Sequence, residues 1–173
     1  MNIILCGLPM CGKTTIGKMV AEKLGWSFID TDRLIENAYT EKTGKTCTCR
    51  QIYIEEGDSL FRECEKMQIA SLSESVKSII AVGGGSLNDP ENTKMLQLTG
   101  SLVYLKAPLS ALWERMLNRG IPVYLNSIDP EKAFYEIANK RTPIYEDAAS
   151  YIIETSHLCE QEVVAAILNL KGK

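Results

Sequence analysis

Eight residues near the start of the chain, Gly7-Leu8-Pro9-Met10-Cys11-Gly12-Lys13-Thr14, have the types and spacing to hold a polyphosphate. The glycines let the backbone wrap an anion with its N–H groups, and the helix that follows adds the partial positive charge of its N-terminus. Lys13 then reaches the β and γ oxygens, and the Thr14 hydroxyl is placed to ligate magnesium. Gly7, Met10, Cys11, Gly12 and Thr15 complete the expected nucleotide cradle, with Met10 and Cys11 contributing backbone alone. The pattern G-x-x-x-x-G-K-[ST] is met without departure. By itself the loop fits a motor, a GTPase, an ATPase or a kinase; together with the chain's size and the motifs that follow, the expected chemistry is phosphoryl transfer with ATP as co-substrate and Mg2+ as cofactor.

Three further groups could serve an acceptor. Asp30-Thr31-Asp32 places two carboxylates on alternate residues, which on extended backbone point the same way. One would hold a magnesium-bound water and the other would take a proton, although Asp-x-Asp is also a good helix cap. Arg62 and Glu65, three apart on a helix, share a face. They form either a solvated ion pair or a fork for a carboxylate, steadied by Glu65. Gly83-Gly84-Gly85 costs chain entropy, and makes sense either as a turn or where a ligand approaches bare backbone. A guanine-reading Asn-Lys-x-Asp is absent; Asn139-Lys140-Arg141-Thr142 starts like it but lacks the aspartate.

The elements that must position these groups follow from the apolar pattern. Asn2–Cys6, Ser27–Ile29, Ser78–Val82, Ser101–Leu105 and Tyr151–Ile153 are short, apolar and bounded by turn residues, which predicts five strands. Thr14–Leu24, Thr31–Asn37, Ser59–Leu72 with Asp58 as N-cap, a helix opened by Asp89-Pro90, Ser110–Asn118, Pro130–Lys140 and Glu160–Leu170 are expected helices. Strands alternating with helices, and apolar throughout, predict a three-layer α/β/α fold with a five-stranded parallel sheet. Ligands of such sheets sit beyond the carboxyl ends of the strands, where the loaded segments fall.

At 173 residues and a net charge of −3, the chain is expected to be one domain, 1–173, without nucleic-acid partners. No apolar stretch is long enough to cross a bilayer, and Met1-Asn2-Ile3-Ile4-Leu5 reads as a strand, not a signal peptide. A cytoplasmic monomer with free thiols at Cys6, Cys11, Cys47, Cys49, Cys64 and Cys159 is expected.

Gly7–Thr14, Asp30-Thr31-Asp32, Phe61-Arg62-x-x-Glu65, Gly83–Gly85 and Arg141-x-Pro143-x-Tyr145, in this order and spacing, resemble shikimate kinase over essentially the whole chain. The resemblance implies a P-loop fold of the nucleoside monophosphate kinase type and phosphorylation of shikimate by ATP, with shikimate and ATP as the small-molecule partners. It further implies that Asp32, Arg62, Gly83, Gly84, Gly85 and Arg141 bind shikimate, and that Thr14 and Asp30 form the magnesium site. Two arginines suit a carboxylate by charge-assisted hydrogen bonds. Tyr53 and Phe61 fit either an apolar wall beneath the ring or simple core packing. Acceptor-binding helices are expected at about 31–72 and a lid at about 119–129.

The family lid carries Arg-Pro-Leu-Leu or a close variant, whereas here Ile121 precedes Pro122. Arg119, behind Gly120, is therefore expected to supply the lid cation. Lys13, Asp32 and Arg119 are the expected catalytic residues. Arg115 resembles an adenine-stacking arginine, or is an exposed helix charge, and His157 falls in the loop where the family contacts adenine. The alternatives are another P-loop small-molecule kinase, of gluconate or nucleoside monophosphate type, and a non-catalytic nucleotide-binding module.

Overall fold

Ile3, Ile4, Leu5 and Cys6 are at most 1% exposed, because the strand they form, β1 (Ile3–Cys6), lies mid-sheet with helices over both faces. Burying each such side chain stabilises the fold by about 1.5–3 kcal/mol, so the segment leaving β1 starts from a rigid base. These observations come from a computed structural model that describes residues 1–122, 125 and 128–170. Among the described residues, five parallel strands run in the order β2-β3-β1-β4-β5, with β2 (Ser27–Asp30), β3 (Ser78–Ala81), β4 (Ser101–Lys106) and β5 (Tyr151–Glu154). Ile3 registers with Ile79 on one side and Ser101 on the other. β1 is thus where the strand order reverses, and the crevice beyond it is the expected ligand site.

The helices are α1 (Lys13–Leu24), α2 (Thr31–Thr43), α3 (Cys49–Ser71), α4 (Pro90–Thr99), α5 (Leu109–Arg119), α6 (Pro130–Ala148) and α7 (Glu160–Asn169). The three-layer α/β/α architecture is as expected. Three helices depart from expectation. α2 does not stop at Asn37 but runs to Thr43, where Gly44, left-handed at φ 74°, closes it. α3 begins ten residues before Ser59, capped by Thr48, whose side chain and Gln51 form a reciprocal capping box. It breaks at Gly57 (φ 83°, ψ 173°). Asp58, just past the break, accepts a hydrogen bond from Arg62 Nε at 3.3 Å. The capping signal was legible in Thr48-x-x-Gln51, but Gly57 masked it. α6 does not stop at Lys140 but runs through Pro143 to Ala148. Tyr145 and Ala148 continue the buried stripe of Phe134 and Ala138, and that burial outweighs the one helical hydrogen bond proline removes.

Most buried side chains form one core around the sheet. A second, small cluster of Ile35, Tyr39, Cys47, Ile52 and Phe61 joins α2 to α3. The segment that follows β2 therefore has its own apolar anchor and stands beside the carboxyl edge of the sheet. No helix among the described residues is long and apolar enough to cross a membrane.

Candidate active site

Gly12, left-handed at φ 98°, precedes α1 and offers no side chain to cap it. The N–H groups of the first turn are therefore free to meet an anion. Lys13 Nζ donates to the carbonyls of Gly7 at 2.9 Å and Leu8 at 3.1 Å, which folds the ammonium back over the loop. It also lies 3.6 Å from Cys11 Sγ. Cys11 is buried beneath the loop, so its side chain packs and accepts from Lys13, a role that backbone reasoning missed. Arg115, exposed on α5, donates to the Met10 carbonyl at 2.9 Å. That bond ties α5 to the outer side of the loop, and neither sequence reading of Arg115 anticipated it.

Thr14 and Asp30 come together as expected: the hydroxyl donates to Asp30 Oδ2 at 2.9 Å. The other oxygen of Asp30 accepts from the Asp32 N–H at 3.1 Å and caps α2. Asp30 is therefore both cap and ligand candidate. The expectation that Asp30 and Asp32 align because both sit on extended backbone is corrected, since Asp32 lies in the first turn of α2. Both still line the same cleft. Burial among these elements raises the Asp32 pKa to about 6, helped by the negative charge of Asp30 and opposed by Lys13. The side chain still meets water on its cleft side.

Arg62 is not merely a solvated pair. It donates to Glu65 Oε2 at 2.8 Å, and Glu65, only 2% exposed, takes its second bond from Ser86 Oγ at 2.7 Å. Burial opposes the guanidinium charge, but the Glu65 and Asp58 carboxylates together outweigh it and keep the Arg62 pKa raised. The pair is locked to the turn after β3. A Cβ at Gly85 would stand 2.9 Å from an Arg62 nitrogen, and one at Gly83 would stand 3.1 Å from both Asp32 Oδ1 and Glu65 Oε1. The glycines are thus demanded by close approach of the site's own side chains, besides leaving backbone open to a ligand. Tyr145 Oη donates to the Gly84 carbonyl and holds the turn from behind.

These groups share one cleft of about 470 Å3. Pro9, Met10, Gly12, Lys13, Thr14 and Thr15 line its loop side, Asp30 and Asp32 its floor, and Arg62, Gly83–Gly85 and Arg141 its far end. Tyr53 and Phe61, in edge-to-face contact at 5.8 Å, form an apolar wall there. Arg119 and Pro122 enter the cleft from the end of α5. Positions 123, 124, 126 and 127 of the expected lid lie outside the described residues. His157, exposed after β5, is not among the cleft's lining residues. Cys49 and Arg50 line the cleft as well; the sequence reading left them out because it started α3 too late.

The model of a protein family described as Shikimate kinase matches residues 9–171. A shikimate kinase of Thermodesulfovibrio yellowstonii is 35% identical over 96% of this chain and 92% of its own. One of Symbiobacterium thermophilum is 36% identical over 97% and 94%. A solved shikimate kinase of Acinetobacter baumannii, in complex with shikimate, superposes with a TM-score of 0.87 at 32% identity, covering 98% of this chain and 92% of that one.

Proposed function

The chain belongs to the shikimate kinase family, and we propose on that premise how its cleft divides the work between donor and acceptor. The activity is ATP-dependent phosphorylation of shikimate. ATP binds through the loop N–H groups and Lys13. Arg62, held by Glu65, and Arg141 take the acceptor's carboxylate, while Asp32 and the Gly83–Gly85 turn take its hydroxyls. The 3-hydroxyl faces the γ-phosphoryl group. Its oxygen bonds to phosphorus as the bond to the β,γ-bridging oxygen breaks, its proton passes to Asp32, and ADP leaves. Catalysis rests on positioning and on cations aimed at spreading charge. What supports this division is that one cleft is lined both by the phosphate loop and by every acceptor residue named.

The neighbouring Thr14 hydroxyl and Asp30 carboxylate suit magnesium, which favours oxygen donors and leaves most of its shell to water and phosphates. Among the described residues no cluster of three or more His, Cys, Asp or Glu could hold a metal by itself, consistent with an ion brought in on the nucleotide. Bound there, Mg2+ would neutralise charge on the transferring phosphates. We further take the chain to act as a cytoplasmic monomer and as a single kinase domain, with acceptor helices at about 31–72 and a lid at about 119–129.

Shikimate-dependent ADP release tests the reading, and release without acceptor preference would overturn it. Arg62→Ala should raise the KM for shikimate by the equivalent of about 2–5 kcal/mol, as for a truncated buried charge pair, with the KM for ATP nearly unchanged. Equal effects on both substrates would make Arg62 structural. Arg119→Ala should lower kcat by about ten- to a thousandfold, the range of single transition-state donors, and leave the KM for shikimate almost unchanged. A normal kcat with a slightly lower Tm would make Arg119 only a favourable charge at the C-terminus of α5.

A further inference from the structure

One cation of the cleft has no task in this scheme. Arg50 lines the cleft, is exposed, and has no hydrogen-bond or ion-pair partner among the described residues. It stands in the first turn of α3, just behind the Thr48 cap, and that turn contains no acidic residue. A guanidinium there sits against the partial positive charge of the helix terminus, so its position is not explained by stability. Lys13 occupies the same kind of position at the start of α1, where it serves an anion.

The surroundings indicate which anion Arg50 serves. Cys49 Sγ donates to the Asp32 carbonyl at 3.2 Å, and the Cys49 N–H donates to Glu36 Oε1 at 3.0 Å. The start of α3 is therefore tied to the turn that carries Asp32, and Arg50 leaves the backbone one residue from that tie. The cleft's cations also fall into two groups. Arg62 and Arg141 line both the cleft and an adjoining cavity around Asp58, Asn88 and Asp89, which places them at the far, carboxylate end. Arg50, like Lys13 and Arg119, lines only the main cleft, with Thr14 and Asp30.

We propose that Arg50 binds the phosphoryl group in transit and then the phosphate ester of the product. This rests on the reading of Asp32 as the residue beside the reacting hydroxyl. Transfer converts a neutral hydroxyl into a dianion next to Asp30 and Asp32, and a third cation offsets that repulsion. Lys13 and Arg119 come from the donor side of the cleft. Arg50 comes from the acceptor helices and so stays with the product as ADP departs.

The test compares Arg50→Ala and Arg50→Lys with the wild-type chain, in shikimate turnover, in inhibition by shikimate 3-phosphate, and in thermal melting. For Arg50→Ala, kcat should fall about ten- to a hundredfold, as on loss of one donor to developing charge. The inhibition constant of the phosphorylated product should rise by a similar factor, while the KM for shikimate holds. Arg50→Lys should recover part of both losses. The Tm should hold or rise, since a cation leaves a helix N-terminus. Unchanged kcat and product inhibition would overturn the proposal, as would a raised KM for shikimate alone, which would make Arg50 a carboxylate ligand. Wild-type turnover separates the two levels of failure. An inactive wild-type chain overturns the functional reading itself; an active one with unaffected variants overturns only the role of Arg50.

Discussion

Asp32→Asn is expected to lower kcat by about a hundred- to ten-thousandfold, the range for loss of a positioned general base, while raising the melting temperature at pH 7. The first effect follows from the place of Asp32 on the cleft floor between the loop and the acceptor residues. The second follows from its titration. In the protein free of nucleotide and magnesium, burial and then Asp30 lift its pKa to about 6, from an ordinary 3.8. Between those values the folded chain holds more of the proton than the unfolded one, so stability falls as pH rises through the window and stays lower above it. The amide removes that cost, and the gain in Tm should disappear below about pH 4. A structural carboxylate would behave in the opposite way: its loss would lower the Tm at pH 7, and kcat would follow only through unfolding. Melting curves at pH 4 and 7 beside kcat distinguish the two.

Lys13→Ala should lower kcat by about a hundredfold or more with the fold retained. The ammonium bonds two loop carbonyls, and its side chain is only half-buried at the cleft mouth. Removing it exposes no core. Among the described residues no other cation stands in the same position: Arg115 is engaged with Met10 outside the loop, and Arg119 enters from the far end of α5. Activity at half the wild-type rate would contradict ATP-dependent transfer through this loop.

The family and the residues that define it were legible in the chain because each rests on local chemistry. A phosphate loop needs its glycines, Lys13 and Thr14 in fixed sequence, since backbone N–H groups, helix terminus and ammonium must converge within eight residues. Apolar runs alternating with amphipathic ones likewise fixed the parallel sheet, because strands covered on both faces can be nothing but apolar. Asp30-Thr31-Asp32 was legible as a pair but not in its division of labour. Only the fold decided that Asp30 both caps α2 and accepts from Thr14, which depends on α1 and β2 meeting across sixteen residues. The same holds for the bland pair Arg62 and Glu65: spacing could not reveal that Ser86, twenty-one residues on, would reach Glu65 and lock the guanidinium to the glycine turn. The start of α3 was hidden for a related reason. Gly57 breaks the helical pattern locally, and what holds the turns before it is the cluster of Ile35, Tyr39, Cys47, Ile52 and Phe61, assembled from two helices. Arg50 and Cys49 entered the cleft through that packing. Sequence determines chemistry wherever the reacting groups are neighbours along the chain; where they are neighbours only in space, the contacts depend on long-range burial, and the tertiary structure alone decides them.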